Sequence, residues 1–432
     1  MIVHNIVIAG AGIIGNSIAY YLTKNYSEHF SDRHNRQISI TLIDPVGICP
    51  AASAKAGGFL AKFWRDGTPV QDLHRLGFDL HEQLAKELTD TDYRHLNCAN
   101  VAVDGDLSRK HQSKKINDKF TEWVDNDIIL DTIYSGSKNE IAQVHPKKLC
   151  NKMWEFSQLH DGVTLQIGRV VKVTIPSQND EYSEDQKNRP VKNVHLEDGT
   201  IIEANILVVA TGPWTEEIRT WFPETQEFEE ALSMMPHVDG TKSHSMLVKT
   251  EQVLNEAVFF QSLDEINDIE VYPRPDGDAY ITGSSQTFKQ MTEKPGEEVV
   301  EPEQVEKLMD AMRKTSSDVL GGLEPHTAQA CFWPESPDGF PLIDFLPHGV
   351  LIATAHSVWG ILQGPATGLA VAELLMEGES RSVDLAPFSF KGRQIDYFLD
   401  GIDGSDPYFS TEYFDGMDGS ISFDDDYSNY QN

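Results

Sequence analysis

The stretch Ile6-Val7-Ile8-Ala9-Gly10-Ala11-Gly12-Ile13-Ile14-Gly15 decides how the rest of the chain is read. Residues 6–9 are a short apolar run with β-branched side chains, which predicts a strand. Beyond the glycines, Ile14, Ile18, Tyr21 and Leu22 recur at helical spacing. A polar stretch, 25–37, leads to a second strand, 38–43, which ends in Asp44. The order is therefore strand, glycine turn, helix, strand, the setting in which G-x-G-x-x-G stops being a weak signal. Gly10 allows the tight turn, Gly12 lets backbone approach a pyrophosphate, and Gly15 lets helix and strand pack closely. The helix end, with the backbone of Ala11, Ile13 and Ile14 beside it, suits phosphate oxygens. Asp44, followed by Pro45, can accept hydrogen bonds from a ribose. It lies further from Gly15 than the usual roughly twenty residues, and the polar stretch 25–37 accounts for the excess. A glycine-rich turn without a ligand is the competing reading; strand, helix and acid together weigh against it.

Composition narrows the class. The 432 residues carry 68 acidic and 35 basic side chains, a formal net charge of −33. That charge repels phosphate backbones and anionic lipid surfaces, so neither a nucleic-acid partner nor membrane insertion is expected. Cys49, Cys98, Cys150 and Cys331 show no CxxC spacing, which argues against a zinc module or a disulfide framework and for a reducing compartment. Neither end reads as a secretory leader or a retention address, so a cytoplasmic location is expected.

Further along, helices are predicted around 70–90 and 140–160, and a strand over 164–173. The run 177–190 reads as a surface loop. Asp198-Gly199 predicts a hairpin between 194–196 and 201–202, and 206–210 reads as a strand buried on both faces. From 225 to 330 the pattern becomes antiparallel. Residues 351–355 read as another buried strand, and 365–376 as a helix with Pro365 in its first turn and Gly378 just past its end. From residue 400 the chain is acidic, without Lys or Arg, and reads as a flexible tail.

Small residues recur at two further places, Ala52-Ser53-Ala54-Lys55-Ala56-Gly57-Gly58 and Ala210-Thr211-Gly212-Pro213-Trp214. Both let backbone lie against a dinucleotide or a flat ring, and NAD folds would instead continue with alternating parallel strands and helices. With these stretches, GAGIIG, Asp44, CFWPESPDGFPLID from Cys331 and ATAHSVWGILQGPATG from Ala353, the chain resembles the D-amino-acid-oxidase superfamily of FAD-dependent oxidoreductases. That superfamily includes glycine, sarcosine and fructosyl-amino-acid oxidases. The resemblance covers roughly residues 1–385 and looks strongest to poorly characterised eukaryotic members.

The resemblance implies FAD as cofactor. It implies Val170 at the adenine, Ser53 and Lys55 beside the pyrophosphate and isoalloxazine, and Gly360, Ile361 and Leu362 along the flavin. Ala52, Ala56, Gly57, Thr211, Gly212, Trp214 and His356 join the same set. It also implies a helix from Pro365 aimed at the flavin N1–C2=O edge. Cys331 matches a position that carries flavin covalently in some relatives; non-covalent binding is the favoured expectation, with Cys331 a small buried residue.

The expected fold is α/β: a Rossmann-like three-layer domain built from discontinuous segments (1–100, 146–225, 333–390), an antiparallel α+β substrate domain (101–145, 226–332) and an acidic tail (391–432). The expected activity is oxidation of a C–N bond of an amine or modified amino acid, a small-molecule substrate, by hydride transfer to flavin N5. No catalytic side chain is named, because that transfer needs no general base. Three cations that hold carboxylate in relatives are replaced by Trp333, Val358 and Leu362, and an oxygen-activating lysine by Ile281. A flavin-binding regulatory or trafficking protein with little turnover is therefore the alternative. Lys62 and Arg65 are the leading substitutes for the lost cations, with Lys55 and Lys242 behind them. Arg274, between two prolines, reads as a solvated loop residue. Trp359, with Trp333, would make the pocket aromatic, and His356 could meet substrate or flavin. His244 reads as structural.

Overall fold

The opening apolar run becomes the interior of a six-stranded sheet in the computed structural model, which describes residues 2–26, 36–103, 123–175, 191–261, 269–286, 289–391 and 393. The strand order is Leu342–Leu346, Val350–Thr354, Ile206–Val209, Ile2–Ala9, Arg36–Asp44, Val163–Ile167. All neighbours are parallel except the first pair. Ile6 and Ile8 enter one core, Val7 and Ala9 the other. Successive side chains point to opposite faces, so a strand covered on both sides must be apolar throughout.

Seven α-helices are described: α1 (Ile13–Asn25), α2 (Ala52–Lys55), α3 (Gln71–Glu87), α4 (Pro146–Ser157), α5 (Gln226–Met234), α6 (Pro302–Thr315) and α7 (Gly360–Glu377). α1, α3, α4 and α7 share one core with the sheet. A three-stranded sheet, Ile201–Glu203, Asn193–Leu196 and Val170–Thr174, covers the other face with α5. Its first two strands form the expected antiparallel hairpin, with Gly199 at φ +90°. The strand expected over 164–173 is instead two strands in two sheets. They part at Gly168, where an added Cβ would lie 2.6 Å from the Leu196 side chain.

A seven-stranded sheet forms the second part of the fold, in the order Thr327–Glu335, Asp239–Lys249, Asp278–Gln286, Ile269–Pro273, Glu256–Gln261, Asn97–Val103, Ile129–Gly136. It is antiparallel except between Glu256–Gln261 and Asn97–Val103. α6 packs on it through Leu308 and Met312. Its strands Asn97–Val103 and Thr327–Glu335 run across the expected boundaries at residues 100 and 332. A small sheet, Phe59–Ala61, Ile141–Gln143 and Arg94–His95, supplies further strands. The expected surface loop at 177–190 and the tail beyond Arg393 lie outside the described residues.

α7 starts five residues before the proline expected in its first turn. Proline has no N–H, so the carbonyl four residues earlier loses its helical partner. That carbonyl, Ile361 O, is 2.8 Å from His81 Nε2 on α3, so the helix tolerates Pro365 in its interior. α7 ends as expected, with Gly378 left-handed at φ +86° and its N–H bonded to Leu374 O. Residues 357–377 are long and apolar enough to cross a bilayer by length and composition. Here α7 is a core helix: Gly364 faces Ile13 of α1, Gly368 faces Ser17, and Gly77 of α3 abuts Leu362 O, each too close for a Cβ.

Candidate cofactor cradle and aromatic face

The three glycines of the first turn differ in surroundings. At Gly10, φ is +101° and an added Cβ would overlap Ala210 O; at Gly15 it would overlap Gly10 O. At Gly12 a Cβ meets only Ser53 Oγ, at 3.1 Å. Two glycines thus let backbone pack on backbone, while the third leaves open space at the start of α1. The first N–H groups of a helix have no partner inside it; here Ile13 N–H donates to Ser53 Oγ at 3.0 Å. The cradle therefore joins Ser53 to the glycine loop across forty residues of sequence.

Asp44 is buried and holds the loop itself. Its carboxylate accepts from the N–H groups of Ala11 (3.2 Å), Val46 (2.9 Å) and Gly47 (3.0 Å). Burial pushes its carboxyl above the ordinary range, against the pull of those N–H groups. Pro45 starts the turn they close. Asn16, which the sequence reading passed over, donates to Ala11 O and Gly12 O at 2.5 and 3.1 Å. Val170, buried, opens its strand beside Leu196. An open glycine, a helix N-terminus and an acid at the end of the second strand together fit the diphosphate and ribose of a dinucleotide.

The second edge is the one-turn helix α2 and the glycines after it. Lys55 Nζ pairs with the buried Glu298 at 2.5 Å and donates to Ala330 O at 2.8 Å. Lys55 O accepts from Gln329 Nε2 at 2.7 Å. The segment is thereby tied to the strand that carries Cys331, whose thiol burial pushes up to about 12 while Lys55 pulls it down. Such a thiol is not a thiolate at neutral pH. Thr211 and Gly212 open a 3₁₀ turn, Gly212 at φ +58°, and Trp214 donates from its indole to Thr292 O at 2.9 Å.

The third edge is the loop before α7. His356 sits between two left-handed non-glycine residues, Ala355 (φ +60°) and Ser357 (φ +49°), a conformation that costs free energy and must be held by its surroundings. Its Nε2 lies 2.9 Å from Thr367 Oγ1, its Nδ1 has no partner among the described residues, and burial holds the ring down at about 3. It is therefore neutral. Gly360 begins α7, with Ile361 and Leu362 buried behind it. α3 braces this turn with two histidines seven residues apart, both buried. His81 meets Ile361 O, and His74 Nδ1 lies 3.4 Å from Gln363 Nε2. Their spacing on one helix face was visible in the sequence; their partners were not.

Between these edges runs an aromatic face. Tyr280, Tyr272 and Phe59 stack at 5.9 and 5.1 Å, with ring planes 7° and 12° apart. Trp64 and Phe259 adjoin Phe59 at 5.2 Å each, and Trp64 reaches Trp359 at 6.2 Å. Trp359 touches His74 at 4.7 Å. Gly57 has no room for a Cβ against Tyr272 and Tyr280. Trp359 thus joins the face. Trp333, half-buried, stands on its strand opposite Thr241.

The cations divide. Lys62 pairs with Asp79 at 2.6 Å and lies over Phe63 and Phe78. Arg65 lies close enough to His74 to help burial hold that ring down at about 3. Lys242 pairs with Glu301 at 2.8 Å, and His244 Nε2 accepts from Glu301 N–H at 3.1 Å, a structural role as expected. Arg274 corrects the sequence reading: it is 6% exposed, not solvated, because its side chain folds back over Tyr280 and towards Ala56 O. No group of His, Cys, Asp and Glu able to hold a metal occurs among the described residues.

Known proteins share this fold. The sequence profile of the FAD-dependent oxidoreductase (DAO) family matches residues 5–374. A provisionally named oxidoreductase of Schizosaccharomyces pombe is 28% identical over 398 residues, covering 88% of this chain and 96% of its own length. The structure of glycine oxidase from Geobacillus kaustophilus superposes with a TM-score of 0.67 at 20% identity, over 91% of this chain and all of that one. The fructosyl amine:oxygen oxidoreductase of Aspergillus fumigatus gives 0.61 at 16% identity, over 90% and 89%. The two structures speak to fold alone; the profile, which spans most of the sequence, settles membership, and this chain belongs to the DAO family of FAD-dependent oxidoreductases.

Proposed function

We propose that the chain oxidises a C–N bond of an amine or modified amino acid, with FAD as resident cofactor. One observation carries the reading: the 52–58 and 356–362 edges converge on a single aromatic face, Gly57 against Tyr272 and Tyr280 and Trp359 against Trp64. FAD, when bound, supplies a hydride acceptor at N5. Gly12 and the first turn of α1 would hold its diphosphate, Asp44 its ribose and Val170 its adenine. Ser53, Ala56, Gly57, Thr211, Gly212, Trp214 and residues 360–362 would border the rings.

The protein's own contribution is orientation and exclusion of water. Stacked rings present an apolar surface to the carbon chain of an amine. Neutral His356, with Nδ1 unpartnered, offers a hydrogen bond without adding charge, so a neutral amine is not disfavoured beside it. Four free thiols go with a reducing compartment, and we place the protein in the cytoplasm on that basis; a fluorescent fusion confined to an organelle would refute this. The activity test is an anaerobic screen of amines against the FAD-loaded protein, watching the flavin lose colour. Bleaching by a subset of amines supports the reading. Flavin that resists every amine refutes it and leaves a flavin-binding protein with little turnover.

A further inference from the structure

Glu270 is the one ionisable side chain in a row of residues that crosses the seven-stranded sheet. Register sets the row: Gln329 lies opposite Ser245, Ser245 opposite Thr282, Thr282 opposite Glu270, Glu270 opposite Phe259, and Phe259 opposite Asn100. Residues paired in this way put their side chains on the same face of a sheet. Contacts identify that face as the one toward the 52–64 segment. Gln329 Nε2 donates to Lys55 O at 2.7 Å and to Ser245 Oγ at 3.0 Å. Phe259 stands 5.2 Å from Phe59 and 5.0 Å from Trp64. Ile269 and Val271, on either side of Glu270, point the other way, into the core that α6 covers. Glu270 is half-buried, and Tyr272 Oη donates to its Oε2. That tyrosine is the middle ring of the Tyr280–Tyr272–Phe59 stack. A carboxylate therefore stands within the aromatic face.

A carboxylate beside apolar rings is costly to keep from water unless donors meet it. Tyr272 supplies one donor, and the two oxygens can accept about four. The faces of aromatic rings are negative and attract cations, so Phe259, Trp64 and Glu270 favour the same sign of partner. The lysines of the adjoining segment are paired with other acids, Lys55 with Glu298 and Lys62 with Asp79. A carbon gives up a hydride only if the nitrogen beside it is neutral, because the nitrogen lone pair forms the new C=N bond. A charge held at Glu270 must then belong to another group of the same molecule. We infer that Glu270 and the rings around it are a cation subsite, and that the substrate is an amine with a second, cationic nitrogen beyond an apolar spacer. The inference rests on the C–N oxidation reading.

Benzamidine, benzamide and benzoate test it, since they share one body and are positive, neutral and negative. None can pass a hydride to flavin, because the carbon beside the ring carries no hydrogen. Each is titrated into the full-length FAD-loaded protein by calorimetry. Wild type should bind benzamidine about tenfold or more tightly than benzamide, the gap a charge-assisted pair supplies, and benzoate more weakly than either. Glu270→Gln keeps an acceptor for Tyr272 and removes one charge from a chain of net charge −33, so any change in preference is local. It should bring benzamidine and benzoate to the affinity of benzamide, with FAD content unchanged. Glu270→Asp should keep part of the cation's advantage, because the charge stays and the reach shortens. Equal binding of benzamidine and benzamide by wild type, tighter binding of benzoate, or a cation preference that survives in Glu270→Gln overturns the inference. So does loss of FAD from Glu270→Gln, which would make the residue a brace for the cofactor. The amine screen separates the two ideas. Bleaching with no cation preference removes the subsite alone; a Glu270-dependent cation preference without bleaching removes C–N oxidation alone.

Discussion

The glycine cradle and the aromatic face meet at the same short segment, 52–58, but they are built under different constraints. In the cradle the constraint is exclusion. Ala210 O and Gly10 O leave no space for a β-carbon at Gly10 and Gly15, so residue identity is dictated by abutting backbone, from a neighbouring strand at Gly10 and from the turn itself at Gly15. In the face the constraint is pairing over distance. Phe59, Trp64, Phe259, Tyr272, Tyr280 and Trp359 come from four separate parts of the chain, and any one could have been ordinary core. The first kind of site tolerates almost no change of size; the second tolerates changes that keep ring contact.

Two glycine substitutions would test that contrast most severely. Gly15→Ala drives a Cβ into Gly10 O and should cost about 3 kcal/mol, the upper end for overpacking, with loss of folded yield in the absence of any cofactor. Gly12→Ala meets only Ser53 Oγ at 3.1 Å. It should leave the melting temperature of cofactor-free protein nearly unchanged while FAD retention collapses. Thermal melts with and without added FAD check both. Equal damage from the two variants would mean that Gly12 serves packing, not a ligand.

This difference also governs what could be read from the sequence. Gly10 to Gly15 and Asp44 were legible because strand, turn, helix and acid are consecutive and each spacing has a steric reason. Asp44 carried a second role that spacing cannot reveal: its carboxylate is occupied by three backbone N–H groups of its own loop. The start of α7 was misread because proline normally marks a first turn, and only the fold brings His81 from α3 to the freed carbonyl. Arg274 was misread because a Pro-Arg-Pro-Asp-Gly turn looks solvated until Tyr280 and Ala56 are placed beside it. The strand over 164–173 was misread because Gly168 serves a contact with Leu196, which lies in another strand.

Acid should expose the region around α7. Burial holds His74 and His356 down at about 3 and His81 at about 4, against roughly 6.5 for an unfolded chain. Between those values the unfolded state takes up protons that the folded state refuses, so stability rises with pH and is lost as pH falls below about 6.5. Each ring then contributes a slope of about 1.4 kcal/mol per pH unit, and three together about 4. Denaturant titrations from pH 7 to pH 4.5 measure this. His81→Gln should lower the slope by one proton; an unchanged slope would show that His81 is not a neutral buried ring.

The same variant series sharpens the role of the α3 brace with a smaller effect. His81→Leu leaves Ile361 O buried and without a donor, at a cost of about 1–3 kcal/mol, whereas His81→Gln can keep a donor in place. The expected order of melting temperature is wild type, then Gln, then Leu. The flavin spectrum should shift in His81→Leu, because residues 360–362 are proposed to border the rings. Equal stability of the Gln and Leu variants would deny the histidine its part in supporting Pro365 within the helix.

The smallest effect is expected at Lys62, and it tests how far the aromatic face extends. The sequence made Lys62 a leading candidate for holding a substrate carboxylate. In the fold its Nζ is 2.6 Å from Asp79, whose side chain is more than half exposed, and it lies over Phe63 and Phe78. A partly exposed ion pair contributes at most about 1 kcal/mol, and a cation already paired is a poor anchor for a second carboxylate. Lys62→Met should therefore leave both stability and the flavin's response to amines nearly unchanged, since the methionine can keep covering the two rings. If Lys62→Met instead abolishes bleaching by amines that carry a carboxylate and spares those without one, Lys62 holds the substrate carboxylate despite its pairing with Asp79.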